Sequence, residues 1–153
     1  MGYTVKSPET TQDWQGYYQL RWQVLREPWQ QPPGSERDEL EDQAFHIMVV
    51  DDDRRILGTG RLHRLSGTQA QIRYMAVHLQ QQGKGIGRQL LRRLEEEAAS
   101  WGCREIVLNA RVVSVDFYLH QGYQIIGEAP LLFGSIAHKR MRKLLVETTR
   151  LNQ

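Results

Sequence analysis

Cysteine is almost missing. The 153 residues hold one, Cys103, so no internal disulfide framework can form and a reduced, cytoplasmic setting is expected. Long apolar runs are missing too, and none approaches the roughly 20 residues needed to cross a bilayer. The first forty residues are polar, without the apolar stretch of a secretory leader. Charge of one sign is scarce. A net charge of +2 gives no global attraction to nucleic acid or an anionic membrane. Internal repeats and linkers rich in Pro, Gly or Ser are absent, so one domain over residues 1–153 is the expectation.

What is present alternates between two periods. GYTVK (2–6) reads as a short strand, and residues 11 to 27 turn helical, with Trp14, Tyr17, Tyr18, Arg21, Val24 and Leu25 at three- and four-residue spacings. Thr11 or Asp13 is expected to cap this helix and Pro28 to stop it. After a loop and one helical turn come three strands, 44–50, ILGTGRLHRL and 70–77, the first two joined as a hairpin by DDDRR. Ile86, Leu90, Leu94, Ala98 and Trp101 then mark one apolar helix face ending at Gly102. REIVLNA (104–110) is a strand, SVDFYLHQ (114–121) a short helix closed by Gly122, YQIIGE a strand, and His138 to Val146 a last one. Hairpins early and a strand–helix–strand crossover in the middle predict an α/β (α+β) fold, a single mixed, mostly antiparallel sheet flanked by helices.

Between the third strand and the long helix lies QQGKGIG, residues 81 to 87. Backbone amides at a helix N-terminus, unobstructed by Cβ atoms, form an anion site backed by the helix dipole. Gly83, Gly85 and Gly87 would admit a diphosphate, with Lys84 and Arg88 adding positive charge; a turn that merely needs positive φ is the plainer alternative. Gly87-Arg88-Gln89 does not supply the Lys and Ser or Thr of a P-loop. GKGIG also has the wrong spacing and the wrong place for a dinucleotide fingerprint.

The stretch Gln82-Gly83-Lys84-Gly85-Ile86-Gly87, with Met75-Ala76-Val77 before it, resembles the Q/R-x-x-G-x-G/A signature of the GNAT acetyltransferase superfamily. FYLHQGYQIIG (117–127) resembles its second signature, an aromatic pair on a short helix followed by Gly-aromatic and a strand. Together they cover about 60 residues. LRWQVLRE (20–27), Ala110-Arg111, Ile136-Ala137-His138 and Met141 resemble the ElaA-like branch, with Arg111 in place of its glutamine and Ala137 in place of its proline.

The resemblance implies the GNAT-like acyl-CoA N-acyltransferase fold and acetyl transfer from acetyl-CoA directly to a primary amine of a small molecule or peptide. It implies that the strand ending at Met75, Ala76 and Val77 splays from residues 104–110 and pairs with the pantetheine arm like an added strand. One amide there would stabilise the oxyanion. Gly83, Lys84, Gly85, Ile86, Gly87 and Arg88 would take the pyrophosphate. Tyr118 matches the family tyrosine that donates a proton to the departing thiolate. Asn109 lies where a polar group often faces the cofactor, with a turn-forming asparagine as the alternative. No metal is expected, and homodimers are common in the family.

The base is open: His63, His46, His138, Glu128, Asp42 or a chain of waters would serve. Arg73 would bind a substrate carboxylate or form a salt bridge. Cys103 reads as a packed thiol. The basic run HKRMRK (138–143) lacks the interleaved aromatics of a nucleic-acid surface and reads as a charged strand edge. Among Trp14, Trp22 and Trp29, any left exposed would shape the acceptor pocket. The competing function is a non-catalytic CoA-binding sensor or interaction module of the same fold.

Overall fold

Helix α1 (Thr11–Leu25) starts where its pattern puts it, but its cap is neither Thr11 nor Asp13. The computed structural model, which describes residues 2–145, shows why. The cap is Thr10, whose hydroxyl accepts from the Asp13 amide while Asp13 accepts from the Thr10 amide. Thr11 is thus inside the helix, and Asp13 is the reciprocal half of a capping box. Past Leu25 the chain tightens into a single 3₁₀ turn, Glu27–Trp29, with Pro28 within it.

Seven strands follow the order β1-β2-β3-β4-β5-β7-β6 in one sheet: β1 (Thr4–Lys6), β2 (Phe45–Val50), β3 (Ile56–Arg64), β4 (Gln69–Val77), β5 (Glu105–Arg111), β6 (Gln124–Leu132) and β7 (Ile136–Leu144). Every neighbouring pair is antiparallel except β4 and β5. Helix α2 (Ile86–Ser100) makes the crossover between those two, as a parallel pair requires. Short α3 (Val115–His120) follows β5. The last strand starts at Ile136, two residues before the expected His138, because a turn with Phe133 and Gly134 at positive φ closes a long β6–β7 hairpin. Its expected end, Val146, lies outside the described residues.

The helices cover opposite faces. Ile86, Leu90, Leu91, Leu94 and Ala98 of α2 are buried on Ile47, Val49, Leu62, Ile72 and Ile106. Each fully buried leucine there contributes roughly 1.5–3 kcal/mol. Leu91, outside the expected stripe, widens the buried face. On the other side Leu20 and Val24 of α1 pack on Ala76. Adjacent residues on β4 point to opposite faces, so Met75 and Val77 join the α2 core while Ala76 faces α1. Gly58 and Gly60 let β3 lie close beneath α2: a Cβ at Gly58 would come within 2.8 Å of Ile86 and one at Gly60 within 2.9 Å of Leu94. Cys103 is buried in the same core.

Candidate functional site

Strands β4 and β5 pair only at their first residues, Gln69 with Glu105, Ala70 with Ile106 and Gln71 with Val107. Beyond Gln71 they separate. A bulge opens the same stretch from the other side, where the β3–β4 register shifts between Thr59 and Arg61. It is absorbed at Tyr74, whose φ of 60° is uncommon for a residue with a side chain. The splay leaves the edge of Met75–Val77 that faces β5 without a strand partner. Backbone groups there are placed to meet an added strand, the Val77 carbonyl meanwhile accepting from the Gln82 side chain at 3.4 Å.

Below the splay lies a cavity of about 670 Å³, lined by Met75, Val77, Gln82, Gly83, Gly85, Gly87, Arg88, Phe117 and Tyr118 among others. The turn is built for this opening. Gly83 and Gly85 sit at φ of 81° and 85°, and Gly85 is the N-cap of α2 with no side chain capping the first amides. No acidic residue occupies the first turn. Those uncapped amides and the helix dipole favour an anion. At Gly87 a Cβ would stand 3.2 Å from the Phe117 ring, so this glycine keeps α2 and α3 close.

Above the splay a second cavity of about 370 Å³ is lined by Leu25, Arg26, Trp29, Arg73, Tyr74, Asn109, Arg111, Leu131 and His138, among others. The two cavities share Met75, Arg111, Ser114 and Tyr118. Tyr118, buried at the junction, packs edge-on against Phe117 and Tyr123 at 5.0 and 5.7 Å. Burial raises its phenol well above the usual range, with Arg111 opposing in part, so the hydroxyl stays protonated. Among the described residues it has no hydrogen-bond partner. That arrangement leaves one O–H free at the point where both cavities meet.

Beside the second cavity stands a buried ion network. Arg21 and Arg61 are fully buried. Arg61 binds Asp38 and Glu41, Arg21 binds Glu41 at 2.9 Å, and Arg73 reaches Asp38 at 2.9 Å. Four guanidinium groups surround the Tyr74 ring, those of Arg21, Arg73, Arg61 and Arg26 at 4.3, 4.7, 4.9 and 5.5 Å. Burial alone would raise the Asp38 carboxyl. Hydrogen bonds from Arg61 and the Leu40 amide, with the charges of Arg61 and Arg73, instead hold it at about 2.

The sequence candidates divide cleanly by place. Met75, Val77, Gly83, Gly85, Ile86, Gly87 and Arg88 line the lower cavity, although Ile86 is 1% exposed and serves mainly as core. Ala76 faces α1, so only its backbone reaches the splay. Lys84 lies outside the lining and bonds Gln81 at 3.4 Å. Asn109 lines the upper cavity rather than the lower, its Oδ1 accepting from Arg140.

Of the base candidates only His138 lines the upper cavity. His46 is buried with both ring nitrogens engaged, Nε2 donating to the Glu41 carbonyl at 2.7 Å and Nδ1 meeting the Tyr17 hydroxyl at 2.8 Å. His63 lies against Arg61 at 3.4 Å, Asp42 lines a separate hollow near Trp14, and Glu128 pairs with Lys139. The basic run is largely neutralised on the surface, by Glu128, Glu105 and Glu95. Trp29 lines the upper cavity, whereas Trp14 packs on Tyr17 and His46. Arg26 and Tyr74, both in the upper lining, were not singled out by sequence. An arginine on a helix end and a tyrosine within a strand carry no pattern that marks a cavity wall.

Known proteins share this architecture. The Acetyltransferase (GNAT) family matches residues 14–123. An uncharacterised N-acetyltransferase, YjcF of Bacillus subtilis, is 32% identical over 112 residues, 73% of this chain and 79% of its own. An aminoglycoside 6'-N-acetyltransferase solved with coenzyme A superposes with a TM-score of 0.79 at 17% identity, over 96% of this chain and 98% of that one. Escherichia coli ElaA does so with 0.76 at 19%, over 93% and 98%. The glycine turn, the splayed strands and the extent of these matches agree: the chain belongs to the GNAT acetyltransferase family.

Proposed function

We propose that this protein is an acetyl-CoA-dependent N-acetyltransferase that acetylates a primary amine without a covalent enzyme intermediate. The observation that carries the proposal is the pair of cavities meeting at Met75, Arg111, Ser114 and Tyr118 across the β4–β5 splay. One cavity suits a CoA ester, whose part in the reaction is to supply an activated acetyl group, and the other suits its acceptor. A relative of the same fold was solved with coenzyme A.

Each residue's task follows from its place. The amides of residues 83–88 bind pyrophosphate, with Arg88 adding charge. The free edge of Met75–Val77 pairs with the pantetheine arm, and one of its amides stabilises negative charge growing on the thioester oxygen. Tyr118 hands its proton to the leaving sulfur. His138 removes the proton of the incoming ammonium. Its Nδ1 lies 3.0 Å from the Ile136 carbonyl, which can only accept, so a neutral ring offers Nε2 as the base.

The test is a melting curve with and without acetyl-CoA, followed by thiol release across a panel of amines. Saturation at 100 times the dissociation constant stabilises a fold by about 2.7 kcal/mol, roughly 5–10 °C here. Arg88→Glu is the better control, because a side chain at Gly85 would be strained at its φ of 85°. A shift in the wild type that shrinks in Arg88→Glu, with thiol release, supports the enzyme. A shift with no release for any amine points instead to a CoA-binding module. No shift overturns both.

A further inference from the structure

The upper cavity has an unusual charge balance. Three arginines, Arg26, Arg73 and Arg111, and His138 contribute to its lining, and among the described residues no aspartate or glutamate does. A polycation would find no counter-charge on this wall.

The arginines are also incompletely neutralised. Arg26 is 6% exposed, yet its guanidinium bonds the Ser35 and Leu25 carbonyls and meets the Tyr74 hydroxyl and the Tyr74 and Phe133 rings, none of them a carboxylate. Arg111 stacks over Trp29 at 5.4 Å. Neither has a carboxylate partner among the described residues. Arg73 does reach a carboxylate, but it is Asp38, which Arg61 already holds with both nitrogens. Around the network, Asp38 and Glu41 are shared by Arg21, Arg61 and Arg73, three cations to two anions. Buried charge without a partner is costly, and guanidinium does not give up its proton to escape that cost. Burial lowers the pKa of both Arg26 and Arg111, in keeping with two cations that lack an anion.

Resting on the acetyltransferase reading, we infer that the acceptor is an amine that also carries an anionic group, carboxylate or phosphate, held by Arg73 and Arg26 with Arg111 at the junction. The rest of the wall, with Leu25, Trp29, Leu108, Leu131 and Ile136, is apolar and suits a hydrophobic body between amine and anion. A planar guanidinium set matches either oxyanion in bidentate fashion. The acceptor class therefore differs from the aminoglycosides of the structural relative.

The experiment compares amines with and without the anion, phenylalanine with phenylalaninamide and phosphoethanolamine with ethanolamine, plus spermidine and kanamycin, with rates referred to the free-amine fraction of each. The anionic member of at least one pair is expected to show a kcat/KM about tenfold higher or more, the worth of one charge-assisted hydrogen bond. Which pair shows it separates carboxylate from phosphate. Arg73→Gln, at a half-exposed side chain, is expected to raise the acceptor KM by a similar factor and leave the KM for acetyl-CoA in place. Equal or better turnover of the amide, ethanolamine, spermidine or kanamycin overturns the inference.

A second readout needs no turnover. With CoA present, phenylalanine or phosphoethanolamine is expected to raise the melting temperature of the wild type more than its counterpart without the anion, and not that of Arg73→Gln. A melting temperature moved by neither anion overturns the inference even where acetyl-CoA binds. Anion-dependent stabilisation without any acetyl transfer upholds the anion site and instead removes the enzymatic reading.

Discussion

Arg61 grips Asp38 with both arms of its guanidinium, Nη1 to Oδ1 at 2.6 Å and Nη2 to Oδ2 at 3.0 Å. The pair joins the loop before β2 to the middle of β3, just where the β4 bulge begins. Arg61 is fully buried, so removing its partner leaves a charge with only Glu41 to balance it. Asp38→Asn is expected to cost about 3 kcal/mol in urea unfolding. The pH dependence has a definite sign. The folded carboxyl sits near 2 against an ordinary 3.8, so the unfolded chain binds more protons between those values. Stability from this group is present above about pH 4 and is lost as pH falls toward 2. Glu41, also lowered, adds to the same decline. In Asp38→Asn the decline should be shallower.

How much of this was legible beforehand depends on where the partners come from. The α2 stripe and the succession of strands and helices along the chain are local patterns, and they read correctly because periodicity reports one buried face. Arg21 was visible on the α1 face among apolar neighbours, but its burial depends on Glu41 and the Glu36 carbonyl, supplied by a loop 15 to 20 residues away. Nothing in the helix itself announces that. The cap of α1 differs for a similar reason: Thr10 and Thr11 are equivalent on paper, and the reciprocal bond to Asp13 decides between them. The position of Asn109 near the end of β5 points to the cofactor by resemblance, yet its side chain turns to the upper cavity. Sorting the five candidate bases by place required the tertiary fold, since among them only His138 is brought to the upper lining.

The close approach of β3 and α2 predicts a steep response at Gly58. A methyl there would meet Ile86 at 2.8 Å, Leu90 at 2.9 Å and the Ala76 carbonyl at 3.3 Å. The last contact is backbone and cannot swing away. Gly58→Ala is expected to destabilise by about 1–3 kcal/mol, with a melting temperature several degrees lower. Ile86 opens α2, so a weaker stabilisation by acetyl-CoA should accompany the loss. Gly67→Ala, with open space around its Cβ position, is the matched control.

Tyr118 offers a sharper separation of chemistry from stability. Its hydroxyl has no hydrogen-bond partner among the described residues, while its ring is packed against Phe117 and Tyr123. Tyr118→Phe keeps the ring, so its melting temperature should stay within about 2 °C of the wild type, since surface-free removal of an unbonded hydroxyl changes stability little. Under the proposed mechanism kcat should fall about 100-fold or more, as for the loss of a general acid. An unchanged kcat in steady-state thiol release would take the proton-donor role away from Tyr118.

His46 and His138 make opposite predictions. His46 holds α1 to β2 through Tyr17 and the Glu41 carbonyl, and burial lowers its pKa, so it is neutral and structural. His46→Leu should cost about 2 kcal/mol by removing one buried hydrogen bond from the Tyr17 hydroxyl and one from the Glu41 carbonyl, with the shape of the pH–rate profile intact. His138 faces the upper cavity with Nε2 free. His138→Gln should leave the melting temperature nearly unchanged, lower kcat/KM about 100-fold near neutral pH, and flatten the fall in rate on the acid side. Paired pH profiles of the two variants decide the matter, because a base acts through its protonation state and a strut does not. If His138→Gln kept the wild-type profile, proton removal would pass to water, and the imidazole would be left as one more donor on a wall that already favours anions.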